Sequence, residues 1–404
     1  MDAHSLLVAI VFVAVYAGMA LGRWPALAID RTGVALIGAI VLLIAAVPGS
    51  DPLASVNVGA LAVLFGLMVL SAQFAASGFY GFCAARLGAS DAAPWRLLAL
   101  VVCVTGALST VLANDIVVFA MTPILCRGLL ASGRDPRPYL LAHAGAANAG
   151  SAATLIGNPQ NILIGEHGGL DFWRYALDAA PVALAALAVV FVTVAVLWRR
   201  ELATPFRSAA QTVPVLNRPA LAKGLVATAV LLALLATDLP AWQSALMIAG
   251  ALLVSRRLST RDMLALVDWH LLVLFAGLFI VTGAFSATTM DDAILRALES
   301  AGIRLEDPEA LAALSLLGSN TVGNVPFVTL VLAAQPGLSP AALHALAVLS
   351  TLAGNLLLVG SLANLIVAER AKREGVILGL RDHFRAGGPM TLFGMLLALG
   401  WLLV

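Results

Sequence analysis

The strongest constraint on this chain is a succession of apolar runs, each about twenty residues long, that recurs from one end to the other. A helix of that length spans the hydrocarbon core of a bilayer, about 30 Å at 1.5 Å of rise per residue. In lipid the backbone must satisfy its own hydrogen bonds, so such runs fold as helices. Crossings are expected over residues 5–22, 32–48, 58–78, 137–170, 178–198, 219–237, 240–255, 262–289, 339–370 and 388–404. No soluble domain of ordinary size fits between them. Hydrophobic residues make up 61% of the chain and charged residues only 11%, against roughly a quarter charged in soluble proteins. The expected fold class is an all-α polytopic membrane protein of about ten transmembrane crossings, with membrane lipid as its surroundings.

Other classes are excluded on the same grounds. The first run, Ser5 to Ala20, lacks a basic leader and a cleavage site, so it is read as a retained helix. Cys83, Cys103 and Cys126 have neither zinc nor disulfide spacing and are read as packing residues. A net charge of +1 argues against a nucleic-acid partner. The chain has no HExxH, GxSxG or P-loop, so it is not expected to be an enzyme, and no cofactor is expected apart from Na+.

Two further apolar regions, 96–130 and 306–336, carry asparagine near their middles: Asn114–Asp115 in one, Asn320 and Asn324 in the other. Each is read as a re-entrant hairpin with a polar tip. The charges test this layout. Arg23, Arg31, Arg86, Arg96, Arg127, Arg134, Arg137, Arg199, Arg200, Arg207, Arg218, Lys223, Arg256, Arg257, Arg261, Arg370, Lys372 and Arg373 would all be cytoplasmic. Asp51, Glu166, Asp171, Asp178, Asp238, Asp291 and Asp292 hold the opposite ends. Both termini are then expected in the periplasm. A single crossing in place of either hairpin would break this alternation.

The stretch TLIGNPQNILIGE, Thr154 to Glu166, interrupts an apolar run where Pro159 lacks the N–H that a helix would bond back to Leu155. It has a counterpart. GSAATLIGNPQNILIGE (Gly150 to Glu166) aligns with GNLLLVGSLANLIVAER (Gly354 to Arg370), placing Gly157 on Gly360, Asn161 on Asn364 and Glu166 on Glu369. Upstream, Asn57–Phe74 aligns with Asp268–Phe285, Leu87 falls on Leu298, and the tip at Asn114 falls on Asn324. Glycine and asparagine matching in register exceeds what shared composition explains. The expected organisation is a first repeat over 1–200, with hairpin 96–130 and broken helix 137–170. A cytoplasmic linker, 201–218, which includes Pro205 with Pro214 among its neighbours, separates it from a second repeat over 219–404, with hairpin 306–336 and broken helix 339–370. Five crossings and one hairpin per half is an odd count of crossings, so the halves run in opposite senses. Inverted repeats with discontinuous helices are the architecture of secondary transporters, whose sites lie near the midplane.

Four polar points are therefore expected to converge. Helix N-termini suit an anionic group, while carbonyl and amide oxygens suit a cation. The candidate solute ligands are Asn114, Asn158, Asn161, Asn320, Thr321, Asn324, Ser361 and Asn364. The coupling ion is assigned to Asn114, Asp115, Gly157, Asn161, Asn324 and Gly360, with Na+ at Asn114, Asp115, Gly157 and Asn161. Asp115 stands out, because an intramembrane carboxylate is costly; it can bind sodium when ionised, carry a proton when neutral, or cap the following helix. Val325 occupies its place in the second half. Weaker candidates are His143, Asn148, His344, Ser350 and Thr351. Glu166 and Glu369 fit interfacial positions, and Phe79–Leu87 and Asp291–Leu298 read as short amphipathic arms at the membrane surface.

Together, ANDIVVFAMTPI, GNPQNILIG, VDWHLLVLFAGLFIV, GNVPF and VGSLANLI resemble the ion transporter superfamily. That superfamily includes arsenite/antimonite permeases, NhaD-type sodium/proton antiporters and SLC13-type dicarboxylate and sulfate carriers; the chain is most similar to YbiR-like bacterial members. The resemblance implies a homodimer in which a scaffold holds the interface and a transport domain of hairpins and broken helices moves as an elevator. The dicarboxylate carriers have Ser-Asn-Thr at each tip. Here the tips read Ala113-Asn114-Asp115 and Gly323-Asn324-Val325, with Ser319-Asn320-Thr321 four residues out of register. That departure points away from dicarboxylates. The expected activity is secondary active transport of a small anion or oxyanion across a bacterial inner membrane, coupled to Na+ or H+. Arsenite or antimonite efflux is the near alternative. An anion channel is the alternative of another class, although no ring of like charge marks a filter.

Overall fold

The computed structural model describes residues 3–22, 24, 27–45, 53–88, 93–203, 215–255, 258–288 and 290–403. Arg23, Asp51, Pro205, Arg207, Pro214, Arg256 and Arg257 lie outside the described residues, as do the side chains of Asp291 and Asp292.

The described residues form nineteen α-helices. The first nine are α1 (Ala3–Leu21), α2 (Arg31–Ala45), α3 (Val58–Ala76), α4 (Phe79–Gly88), α5 (Pro94–Val111), α6 (Asn114–Ala131), α7 (Arg137–Ser151), α8 (Pro159–Gly168) and α9 (Phe172–Leu197). The rest are α10 (Arg218–Leu234), α11 (Ala241–Leu253), α12 (Thr260–Leu264), α13 (Trp269–Ser286), α14 (Met290–Ser300), α15 (Pro308–Thr321), α16 (Asn324–Ala334), α17 (Pro340–Ala353), α18 (Leu362–Arg373) and α19 (Leu380–Leu402). Omitting the five-residue α12, the order of lengths and breaks in α1–α9 is repeated in α10–α19.

Local chemistry sets the boundaries. Asn57 caps α3 by accepting from Ala60 N, and Asp268, at the equivalent place, caps α13 by accepting from Leu271 N. The run expected over 262–289 is therefore two helices, because Asp268 starts a new one after α12. Asp171 accepts from Arg174 N and starts α9 six residues before the expected 178, and α19 begins at Leu380 rather than 388. The polar first turn of α19, with Arg381, Asp382 and His383, hides its start from hydropathy, and in α9 Arg174 among Phe172, Trp173 and Tyr175 lowers the hydropathy of the first turn.

Helices α1, α3, α5, α6, α9 and α13 are each long and apolar enough to cross a membrane. Both arms of the first hairpin belong to that group, at 18 residues each, whereas α15 and α16 have 14 and 11.

Packing repeats with the sequence. Helix α3 lies on α11, and α13 lies on α2. Both crossings are made close by a glycine: a Cβ on Gly66 would meet Ala245 O at 2.6 Å, and one on Gly277 would meet Ala35 O at 3.0 Å. Small residues of this kind let helices approach in lipid, where van der Waals contact replaces the hydrophobic effect as the cohesive term. Helices α1–α3, α10, α11 and α13 form one group; α5–α9 and α15–α19 form the other. In the second group α5 packs on α7 and α15 on α17, while α9 and α19 pack on each other about the relation that exchanges the halves.

Candidate functional site

The two broken helices set the site. Helix α7 ends at Ser151, the chain runs irregularly to Asn158, and α8 begins at Pro159, which needs no donor at that position. Asn158 caps α8 by accepting from Asn161 N at 2.9 Å. The second break runs from Ala353 through a short 3-10 turn (Leu358–Gly360) to Ser361, which caps α18 by accepting from Ala363 N at 3.2 Å. Both breaks need glycine. A Cβ on Gly157 would lie 2.5 Å from Ser151 O and 2.8 Å from Ser109 O, and one on Gly360 would lie 2.8 Å from Gly354 O and against Asn320 Oδ1.

The hairpin tips reach the breaks. Helix α5 runs alongside α7 in the same direction: Tyr139 OH donates to Pro94 O, Thr105 Oγ1 lies 2.7 Å from His143 Nδ1, and Thr110 Oγ1 donates to Gly150 O. At the tip Asn114 N donates to Gly157 O at 3.0 Å. In the second half Ser339 Oγ donates to Glu306 Oε2, Ser319 Oγ to Ser350 O, and Asn320 Nδ2 to Ala353 O. Each tip thus stops level with its break, while α8 and α18 continue beyond. Asn320 also accepts from Leu357 N at 3.0 Å, tying the second tip to its break.

Between tips and breaks lies a buried network of amides and hydroxyls. Asn148 Oδ1 accepts from Ser361 Oγ at 2.9 Å and Asn114 Nδ2 at 3.4 Å, while its Nδ2 donates to Asn355 Oδ1 at 2.8 Å and Asn364 Oδ1 at 3.2 Å. Asn158 Nδ2 donates to Ser151 Oγ and to Thr351 Oγ1, at 2.9 and 3.2 Å. Thr351 Oγ1 accepts from Gln160 Nε2 and donates to Asn161 Oδ1, at 3.1 and 3.2 Å. Asn161 Nδ2 donates to Thr154 O and Tyr175 OH, and Asn364 Nδ2 to Gly354 O and Leu357 O. Tyr175 OH donates to Ala152 O, and His383 Nε2 lies 3.1 Å from Asn355 O.

The structure therefore brings together Asn114, Asn158, Asn161, Asn320, Ser361 and Asn364, with Gly157 and Gly360 at the two close backbone approaches. It turns most of these side chains onto one another and onto backbone. One acceptor is left over: Asn114 Oδ1 is buried and has no hydrogen-bond partner among the described residues. Asn324 is buried, but among the described residues its Oδ1 accepts only from the adjacent Val325 N. Thr321 is exposed and bonds back to Leu317 and Gly318 of its own helix, away from the network.

Asp115 is not part of this network. One residue on from Asn114 it has turned about 100° around α6, and it lines a cavity of about 740 Å³ together with Asp30, Arg31, Thr32, Asp268, His270, Val359, Glu369 and Lys372. It sits in the first turn of α6 with no side-chain cap bond, where the helix dipole favours its charge. The carboxylate is thus presented to open space rather than to Asn158 or Asn161. A second cavity, about 390 Å³, is lined by Ile156, Ile162, Glu166, Asp171, Asp238 and Trp242. Ile156 and Glu166 are the repeat equivalents of Val359 and Glu369, so the two cavities flank equivalent faces of α8 and α18.

Among the weaker candidates, His143 is fully buried against Thr105 between α5 and α7. His344 Nδ1 lies 3.7 Å from Asp178 Oδ2 and edge-on to Tyr175. Ser350 Oγ is buried with no partner among the described residues. Tyr175 and His383 were not singled out from sequence; their distances from the break asparagines are unequal, and only their shared polar tip on an aromatic ring marked them.

Residues 7–353 match the family described as citrate transporter. The chain is 29% identical over 420 residues to an uncharacterized transporter of Mycobacterium tuberculosis, covering 98% of this chain and 97% of that protein. It is 28% identical to a silicon efflux transporter of rice, Oryza sativa subsp. japonica, over 91% of each. Among solved structures, the YdaH transporter of Alcanivorax borkumensis matches with a TM-score of 0.55 and 15% identity over 99% of this chain and 98% of that one, a likeness of fold.

Proposed function

This chain belongs to the citrate transporter family of membrane transporters, and from that premise we propose that it is a secondary active transporter of a small anion or oxyanion. The observation that carries the proposal is the meeting of two capped helix N-termini, α8 and α18, with two hairpin tips in a single buried polar network. N-terminal amide groups attract negative charge, and the leftover Asn114 Oδ1 with nearby break carbonyls offers oxygen to a cation such as Na+. The carboxylate of Asp115, facing its cavity, couples the cargo to Na+ or H+. Helices α5–α9 and α15–α19 move as an elevator against a scaffold that pairs two copies in a bacterial inner membrane, with the hairpins re-entrant and both termini periplasmic. That each tip stops level with its break supports the re-entrant reading.

A second reading has its own support. The buried donors and acceptors of the network are neutral amides and hydroxyls, which suit an uncharged hydroxylated solute as well as an anion. Efflux of arsenite or antimonite, or of silicon as in the rice relative, would fit such a lining. Purified protein in liposomes separates these readings: uptake of labelled citrate, silicic acid and arsenite is measured under imposed Na+ and proton gradients. Saturable accumulation of one solute driven by one gradient is expected. Flux that only dissipates the solute's own gradient would make the protein a channel.

A further inference from the structure

The offset of 203 positions that places Asn161 on Asn364 also places Asn158 on Ser361 and Asn148 on Thr351. Asn148 and Thr351 stand at the ends of α7 and α17, and neither is bonded to the cap of its own break. Asn148 binds Ser361 and Asn364, which open α18; Thr351 binds Asn158, Gln160 and Asn161, which open α8. Two of these contacts repeat in the other half with the same roles: one polar side chain takes the bond of the helix cap and donates to the asparagine three residues further on, while the Gln160 bond has no counterpart because Ala363 stands in its place. In Asn148 all four hydrogen-bonding positions are used, and in Thr351 the single hydroxyl proton and two acceptor sites are used.

We infer that Asn148 and Thr351 are positioning residues forming a reciprocal clasp: each holds the N-terminus of the other repeat's second half-helix, linking the two breaks to each other beyond the bonds each makes within itself. The consequence is mechanical. Helices α7, α8, α17 and α18 hold their register through these five buried cross-half contacts, and the two N-termini keep a fixed mutual placement whichever way the surrounding helices shift. The clasp deepens the transporter reading, because those N-termini are where that reading seats the cargo.

Hydrogen exchange on the purified wild-type protein without cargo tests the clasp, so failure of the transport assignment leaves the outcome unaffected. Thr351→Val keeps the volume and removes the hydroxyl; Thr351→Ser keeps the hydroxyl. Thr351→Val is expected to raise exchange across 158–166 about tenfold while changing its own break, 353–361, far less, and Thr351→Ser is expected to match wild type. Asn148→Leu is expected to show the mirror pattern, with exchange raised across 361–369 rather than 152–160. Should Asn148→Leu not fold, the two Thr351 variants still decide. The inference is overturned if Thr351→Val loosens its own break and leaves 158–166 protected, or if Thr351→Ser behaves as Thr351→Val does.

Discussion

Asp115 and Gly157 show how much rests on single atoms here. Asp115 has no hydrogen-bond or ion-pair partner among the described residues and faces a cavity, so its exchange of a proton or sodium ion breaks no internal contact. Asp115→Asn keeps size and removes charge. In liposomes the variant is expected to retain solute exchange across equal gradients and to lose accumulation driven by Na+ or protons; unchanged driven accumulation would remove Asp115 from coupling. Gly157→Ala addresses stability. The added methyl meets backbone oxygens of Ser151 and Ser109 that cannot swing away, so a loss of about 1–3 kcal/mol is expected in denaturant or thermal unfolding. A loss below a few tenths would mean the break relaxes freely. The sequence made the asparagines and glycines of the breaks legible because both types recur in register. It did not make their direction legible. Asn114 and Asp115 are neighbours in the chain, yet helical rotation sends one to the amide network and the other to the cavity, and no periodic pattern exists at a tip to reveal which.

At the scale of elements, breaks and hairpins followed from proline, glycine and polar insertions, whose effect on a helix is local. The reciprocity of the clasp did not, since an internal repeat says which residues are equivalent and nothing about which ones touch. Several starts lie further out than hydropathy places them, as at Leu380, where a first turn with Arg381, Asp382 and His383 is helical but not apolar. The hairpin assignment for 96–130 is the element most open to test, because α5 and α6 are each long enough to cross. Two full crossings and a re-entrant hairpin both bring the ends back to one face, so the ends test whether the segment makes a single net crossing. Trp95 and Leu130 are exposed near the open end of the hairpin, and His167 is exposed at the far end of α8. In spheroplasts, cysteines at 95 and 130 are expected to react with a membrane-impermeant maleimide from one face, and a cysteine at 167 from the other. Labelling of 95 and 130 from opposite faces would turn the hairpin into a net crossing and break the odd count per repeat.

For the whole molecule the decisive feature is the pair of cavities on equivalent faces of α8 and α18. One of about 740 Å³ opens among Arg31, Thr32, Asp268 and Lys372; the other, about 390 Å³, lies among Asp171, Thr237, Asp238 and Trp242. The first cavity holds Arg31 and Lys372 as well as Asp30, Asp115, Asp268 and Glu369, and the second holds Glu166, Asp171 and Asp238 with no basic residue among the described residues; under the positive-inside bias the proposed topology puts them on opposite sides of the membrane. If the protein works as the proposed elevator, their inequality corresponds to half-helix groups displaced toward one side, with one vestibule open at the expense of its counterpart. On the proposed elevator reading, a shift of α8 and α18 that enlarges one cavity is expected to shrink the other. Thr32→Cys and Thr237→Cys report the two vestibules. An impermeant reagent is expected to reach them from opposite faces, and a cargo or ion that lowers the labelling rate of one is expected to raise that of the other, as population shift between two states requires. Rates that rise or fall together would instead describe a single opening that swells and closes, and the two cavities would no longer be alternate ends of one path.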